Sequence, residues 1–147
     1  MRTVGWREWV ALPALGIQTI KAKVDTGART SALHAFQVTA FERDGQPWVR
    51  FSIHPMQNDT DTVVECEAPV KDRRMVSDSG GHREERYVIE TELMIGNDVR
   101  RVEITLTDRE SMIFRMLIGR TAMQGLLVDP GLSFQLGGSK EQPPEQR

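Results

Sequence analysis

Val24-Asp25-Thr26-Gly27-Ala28 is the stretch on which the reading of this chain turns. A β-branched residue closes a strand, and an acid, a hydroxyl and a glycine follow. Such a tight loop holds a carboxylate rigidly at a strand end. Gly27 admits unusual dihedrals or the close approach of another backbone. The Thr26 hydroxyl can hydrogen-bond across to a second copy of the loop. One carboxylate cannot act as acid and base at once, whereas two that share a proton can. Like charges about 3 Å apart cannot both ionise, so one group holds the proton and the other gives it up. The ionised member activates water and the protonated member polarises a carbonyl. The chain has only one such motif, so a complete dyad requires a homodimer. Taken alone, the tripeptide equally suits a plain turn opened by Asp25.

The flanking sequence reads as short strands. Ile17 to Val24 leads into the loop, with Ile20, Ala22 and Val24 alternating onto one face. Trp6 to Leu12 is an earlier apolar run, separated from it by a turn at Pro13 to Gly16. Downstream, Ala32 to Phe41 reads as one strand ending at Asp44-Gly45, a strong hairpin signal, and Trp48 to Ile53 returns from it. Met56 to Asp61 is polar loop. Thr62 to Val70 and Tyr87 to Ile95 are strands on either side of a flexible tip at Ser77 to Gly81. Gly96-Asn97-Asp98 turns into Val99 to Leu106. Arg115 to Ile118 is a short buried strand, and Thr121 to Gly125 is about one helical turn stopped by glycine. Many short strands with Gly-rich turns predict an all-β barrel or sandwich. Residues 1–136 are expected to form one domain. The tail from Gly137 to Arg147, polar and carrying Pro143 and Pro144, is expected to be disordered.

Composition narrows the class. The 147 residues are 39% hydrophobic and 27% charged, as in ordinary globular domains. A formal net charge of -2 argues against a dedicated nucleic-acid binder. Cys66 stands alone, which excludes an internal disulfide and a multi-cysteine zinc site. No apolar run approaches the roughly 18 residues of a membrane span, and Met1 to Trp9 has no signal-peptide core. The expected location is the cytoplasm.

From Trp6 to Phe134 the chain resembles the retropepsins, the dimeric aspartic proteases of retroviral type. Three features carry the resemblance, in the right order and spacing. They are Asp25-Thr26-Gly27-Ala28, the Gly-rich stretch Met75-Val76-Ser77-Asp78-Ser79-Gly80-Gly81 where that family has its flap, and Leu117-Ile118-Gly119-Arg120 before a short helix. The resemblance implies a closed β-barrel with a flap hairpin and one short C-terminal helix. It implies that the apolar-apolar-Gly strand threads beneath the catalytic acid. Asp25, Thr26 and Gly27 would form the catalytic loop. Ala28, Arg29, flap residues Ser79 and Gly80, and Arg109 would meet a peptide substrate.

A longer block, Ala22-Lys23-Val24-Asp25-Thr26-Gly27-Ala28-Arg29-Thr30-Ser31-Ala32-Leu33-His34-Ala35, looks like a bacterial and archaeal family labelled ATP-dependent zinc proteases. Those proteins are associated with ATP-grasp ligases that add glutamate to peptides and proteins, and some are implicated in trimming glutamate tails. The resemblance therefore implies a glutamate-rich substrate and an ATP-grasp ligase as partner. The residues support neither half of the label. No His-Glu-x-x-His occurs, and His34, His54 and His82 lack ligand spacing, so a metal site would need His34, His82 and Asp25 together. No Gly-x-x-x-x-Gly-Lys-Ser/Thr loop is present for ATP. No cofactor is expected.

Two departures from the retropepsins concern charge. Those enzymes place an acid just after the Asp-Thr-Gly-Ala block, where this chain has Arg29. An intersubunit pair with exchanged signs, Glu8 to Arg29, is one expectation; the other is that both are solvated. Arg29, Arg83, Arg86 and Arg109 are candidates to line the cleft, and arginine binds carboxylates through paired hydrogen bonds. Asp78, Ser79 and His82 make the flap more polar than its viral counterpart. Three readings compete: a homodimeric aspartic endopeptidase for acidic peptides, a non-catalytic carboxylate-binding partner of a ligase, and a zinc peptidase.

Overall fold

The computed structural model describes residues 2–56, 61–77, 80–108 and 114–136. Strands dominate: β1 (Thr3–Val4), β2 (Arg7–Leu12), β3 (Ile17–Val24), β4 (Ser31–His34), β5 (Phe36–Arg43) and β6 (Gln46–Ile53) come first. There follow β7 (Val64–Ser77), β8 (Arg83–Ile95), β9 (Asp98–Thr107), β10 (Met116–Ile118) and β11 (Leu127–Val128). Two 3₁₀ turns, Pro13–Leu15 and Arg120–Met123, interrupt them. The second is the short helix expected near Thr121.

The main sheet runs β2-β3-β10-β4-β9-β8-β7-β6-β5 and closes on itself where β2 also pairs β8. Val10 faces Ile95 and Ala11 faces Met94 at that seam. Six strands, β2, β3, β10, β4, β9 and β8, thus make a barrel, and β7, β6 and β5 extend from it. This is an all-β, retropepsin-like fold. Alternation explains the packing: Ile20, Leu33, Leu93, Ile104 and Met116 point inward and are fully buried. Phe51 and Ile53 of β6, with Cys66 and Ala68 of β7, join the same core. Among the described residues no helix is long and apolar enough to cross a membrane.

Where the strands differ from the sequence reading, pairing is the reason. Ala32 to Phe41 is not one strand. It splits at Ala35, whose N–H donates to the Thr107 carbonyl at 3.0 Å. Before that point β4 pairs with β9 and β10; after it β5 pairs with β6 alone. Gln37, with φ 53°, lies in the bulge where β5 begins. The Asp44-Gly45 turn is as expected, with φ of 52° and 75°. The flap strands β7 and β8 run further than their apolar segments indicated, because the outer halves are charged and cross-paired from Arg73–Tyr87 to Ser77–Arg83.

Candidate active site

The loop after β3 is held by a strand that passes between the two segments flanking it. The three residues of β10 pair parallel with β3, Ile118 opposite Val24, and antiparallel with β4, Leu117 opposite Ala32. The Asp25 N–H donates to the Ile118 carbonyl at 2.9 Å. Beyond β10, the Arg120 N–H donates to the Ala28 carbonyl at 2.8 Å and the Thr121 N–H to the Arg29 carbonyl at 3.0 Å. The Arg120 side chain reaches back to the Thr26 carbonyl at 2.9 Å. Gly119 sits at the crossing, where a β-carbon would stand 2.6 Å from the Thr30 carbonyl carbon. No larger residue fits there without displacing the loop. The Gly119 N–H is met by the buried Ser31 hydroxyl at 3.0 Å.

The Asp25 carboxylate is half-buried and accepts the Gly27 N–H on Oδ1 at 3.0 Å. That bond folds the loop around the acid. A β-carbon at Gly27 would lie 3.2 Å from the same oxygen. Thr26 and Gly27 are exposed. Asp25 lies on one wall of a cleft of about 630 Å³, with Gly27, Ala28, Arg29, Thr30 and Leu117 beside it. The opposite wall is the flap, which contributes Arg74, Met75, Val76, Ser77 and Arg86.

The cleft thus gathers Asp25, Gly27, Ala28, Arg29 and Arg86 from the residues singled out in the sequence. Arg83 does not line it and lies opposite Ser77 toward the outer end of the flap. Gly80 stands in the flap turn and is exposed. Ser79, Asp78 and Arg109 lie outside the described residues. The expected pairing of Glu8 with Arg29 is corrected by burial. Glu8 is fully buried, and its carboxylate accepts the backbone N–H groups of Gly5, Gln135 and Leu136 at 2.7, 2.8 and 3.0 Å. It fastens the segment at Gly5 to the one at Gln135 and Leu136, and its buried carboxylate is turned inward rather than toward Arg29.

Two residues escaped the sequence reading. Arg74 shares the inner flap face with Val76, two residues on, and stands directly opposite Arg86. Extending the strand alternation back from the flap motif finds it. Ser31 falls just before the strand read from Ala32 and has no role of its own in that reading, and only the crossing of β10 shows why a hydroxyl is needed.

A family model described as RimB-like, "Retropepsin-like aspartic endopeptidase RimB", matches residues 3–136. The chain belongs to this family. Curated relatives carry another description. Proteins of Shewanella pealeana and Desulfotalea psychrophila, each called "Probable alpha-L-glutamate ligase", are 50% and 47% identical over 135 and 137 residues. The matches take in 91% and 92% of this chain but only 30% of each relative. The chain thus spans about a third of the length of those relatives. Among solved structures, a Legionella pneumophila protein of unknown function superposes with a TM-score of 0.78 at 27% identity, covering 92% of this chain and 98% of that one.

The zinc that the resemblance of the Ala22 to Ala35 block implies finds no fit. Among the described residues no three His, Cys, Asp or Glu side chains gather to hold a metal. His34 is buried at the end of β4 and stacks with Phe36 at 6.4 Å and His54 at 6.5 Å.

Proposed function

We propose that this chain is an aspartic endopeptidase whose catalytic dyad is Asp25 from each of two copies. The observation that carries the reading is the placement of Asp25: on a rigid loop wedged by β10, in a cleft facing a flap, next to exposed Thr26 and Gly27. The exposed loop is free to meet its own symmetry mate. In the pair, the ionised carboxylate takes a proton from water as the oxygen attacks the scissile carbonyl carbon. The protonated carboxyl donates to the carbonyl oxygen. Collapse of the tetrahedral intermediate breaks the C–N bond, and the leaving nitrogen receives a proton from the dyad. Thr26 and Gly27 position the acids, and Ala28, Arg29 and the flap, including Ser79 and Gly80, hold the peptide.

The substrate we propose is acidic, in the simplest case a glutamate-rich tail. Support comes from charge: the cleft lining carries three arginines against one carboxylate. It also comes from relatives named as glutamate ligases, which suggest a ligase as functional partner. The same naming favours the second reading, a carboxylate-binding module that serves a ligase without cleaving. Incubation with a glutamate-rich peptide, followed by mass spectrometry, separates the two. Cleavage by the wild type and none by Asp25→Asn of unchanged melting temperature is the expected outcome. Binding without cleavage would decide for the module, and cleavage by Asp25→Asn would end the aspartic reading.

A further inference from the structure

The three arginines of the cleft differ in what already satisfies them. Arg29 is exposed, so fixing its long side chain on a ligand costs conformational entropy. Arg74 is met by two acids, Asp72 on Nε at 2.9 Å and Glu103 on Nη1 at 3.0 Å. Arg86 is different. Its side chain is only 10% exposed, and Glu84 meets its Nε at 3.1 Å. The same Glu84 oxygen accepts the Thr107 hydroxyl at 3.3 Å, which fixes the acid and through it the guanidinium. Among the described residues no other hydrogen bond or ion pair reaches the Arg86 side chain.

A guanidinium offers five N–H donors in a rigid fork. With its Nε edge anchored, the rest of the Arg86 fork is left to solvent in the cleft, pre-oriented for an incoming carboxylate. Arg74, the direct cross-strand partner of Arg86, sets a second guanidinium beside it, and Asp72 and Glu103 already meet that one. Both side chains line the cleft that contains Asp25. A peptide carboxylate entering that space would meet the free edge of the Arg86 fork.

We propose that Arg86 is the specificity-determining receptor for a glutamate or aspartate side chain of the substrate. Glu84 and Thr107 are its positioning residues, and Arg74 adds a second positive charge. The assignment deepens the peptidase reading and rests on it only in that both place the peptide in this cleft.

Binding measured in the inactive Asp25→Asn chain tests the receptor separately from catalysis. The probes are two short peptides, acetylated and amidated at their ends, one of glutamates and one of glutamines. Arg86→Gln is expected to raise the Kd of the glutamate peptide by roughly ten- to a hundredfold and to leave the glutamine peptide within about twofold. Equal losses for both peptides, or an unchanged Kd for the glutamate peptide, overturn the proposal. Arg86→Lys keeps the charge without the fork and guards against misfolding of the first variant. It is expected to lose most of the discrimination, and full discrimination would count against the receptor. A glutamine peptide with a free C-terminus that binds as tightly as the glutamate peptide would assign the fork to a chain terminus and overturn the side-chain assignment. If glutamate binding depends on Arg86 while the wild type cleaves nothing, the receptor stands and the peptidase reading falls. Cleavage that needs Asp25 but ignores Arg86 gives the reverse.

Discussion

At the scale of single residues, two positions show how little freedom the site leaves. Gly119 lies where the chain passes beneath the Asp25 loop, with the Thr30 backbone too close for any β-carbon. Gly119→Ala is expected to lower stability by about 1–3 kcal/mol, the usual range for overpacking, read as a fall in the denaturation midpoint. An unchanged midpoint would mean that the crossing is looser than its contacts. Glu8 is the second position. Its carboxylate meets three backbone N–H groups in the interior. Glu8→Ala strands those donors, at about 1–3 kcal/mol for each that water cannot reach, so a loss of roughly 3 kcal/mol or more is expected in chemical denaturation. The two residues were not equally legible in the sequence. Gly119 follows two apolar residues before a helical turn, a local pattern that reads directly. Glu8 is an acid in an apolar strand, and two of its three donors, at Gln135 and Leu136, lie far away in sequence. Local sequence therefore suggested an exposed ion pair where long-range packing makes a buried anchor.

At the scale of elements, β2 and β3 carry a charge that the interior tolerates poorly. Lys21 of β3 is nearly buried, with its Nζ 5.2 Å from the centre of the Phe114 ring. Burial first, and then the neighbouring Arg7 of β2, bring its pKa down from 10.5 to about 8. The unfolded chain therefore keeps a proton between pH 8 and 10.5 that the folded chain has released. Unfolding takes up that proton, so the contribution of Lys21 to stability rises with pH across this window and is complete above it. Lys21→Met removes the effect. The stability difference between wild type and Lys21→Met is expected to shift in favour of the wild type from pH 8 to 10.5, as followed by urea denaturation at each pH. A difference that stays flat would show that Lys21 is solvated. The strand β10 poses the complementary case. Its apolar residues predicted a buried strand, but its two partners, β3 and β4, are distant in sequence, the first parallel to it and the second antiparallel. Periodicity reports which face is buried, not which neighbours bury it.

At the scale of the whole molecule, the order of motifs and, through the resemblance they carry, a closed barrel were legible; which strands form the seam was not. Asp-Thr-Gly, the Gly-rich flap and the apolar-Gly strand fix the succession of elements. The seam of β2 on β8 and the split at Ala35 depend on pairings that no local pattern contains. The largest consequence of the fold is that one chain supplies one Asp25 to the cleft. If the dyad is assembled from two copies, activity depends on pairing, and a defective chain poisons its partner. Equal amounts of wild type and Asp25→Asn, allowed to exchange subunits freely, would form wild-type, mixed and mutant dimers in a one-two-one distribution. Only the first retains both acids, so activity per wild-type chain is expected to fall to about half that of the unmixed protein. A chain that works alone would keep its full activity in the same mixture. The mixing experiment needs no knowledge of the natural substrate beyond one peptide that the wild type cleaves. It also separates a shared site from simple instability, because a variant that unfolded alone would leave the wild-type dimers untouched.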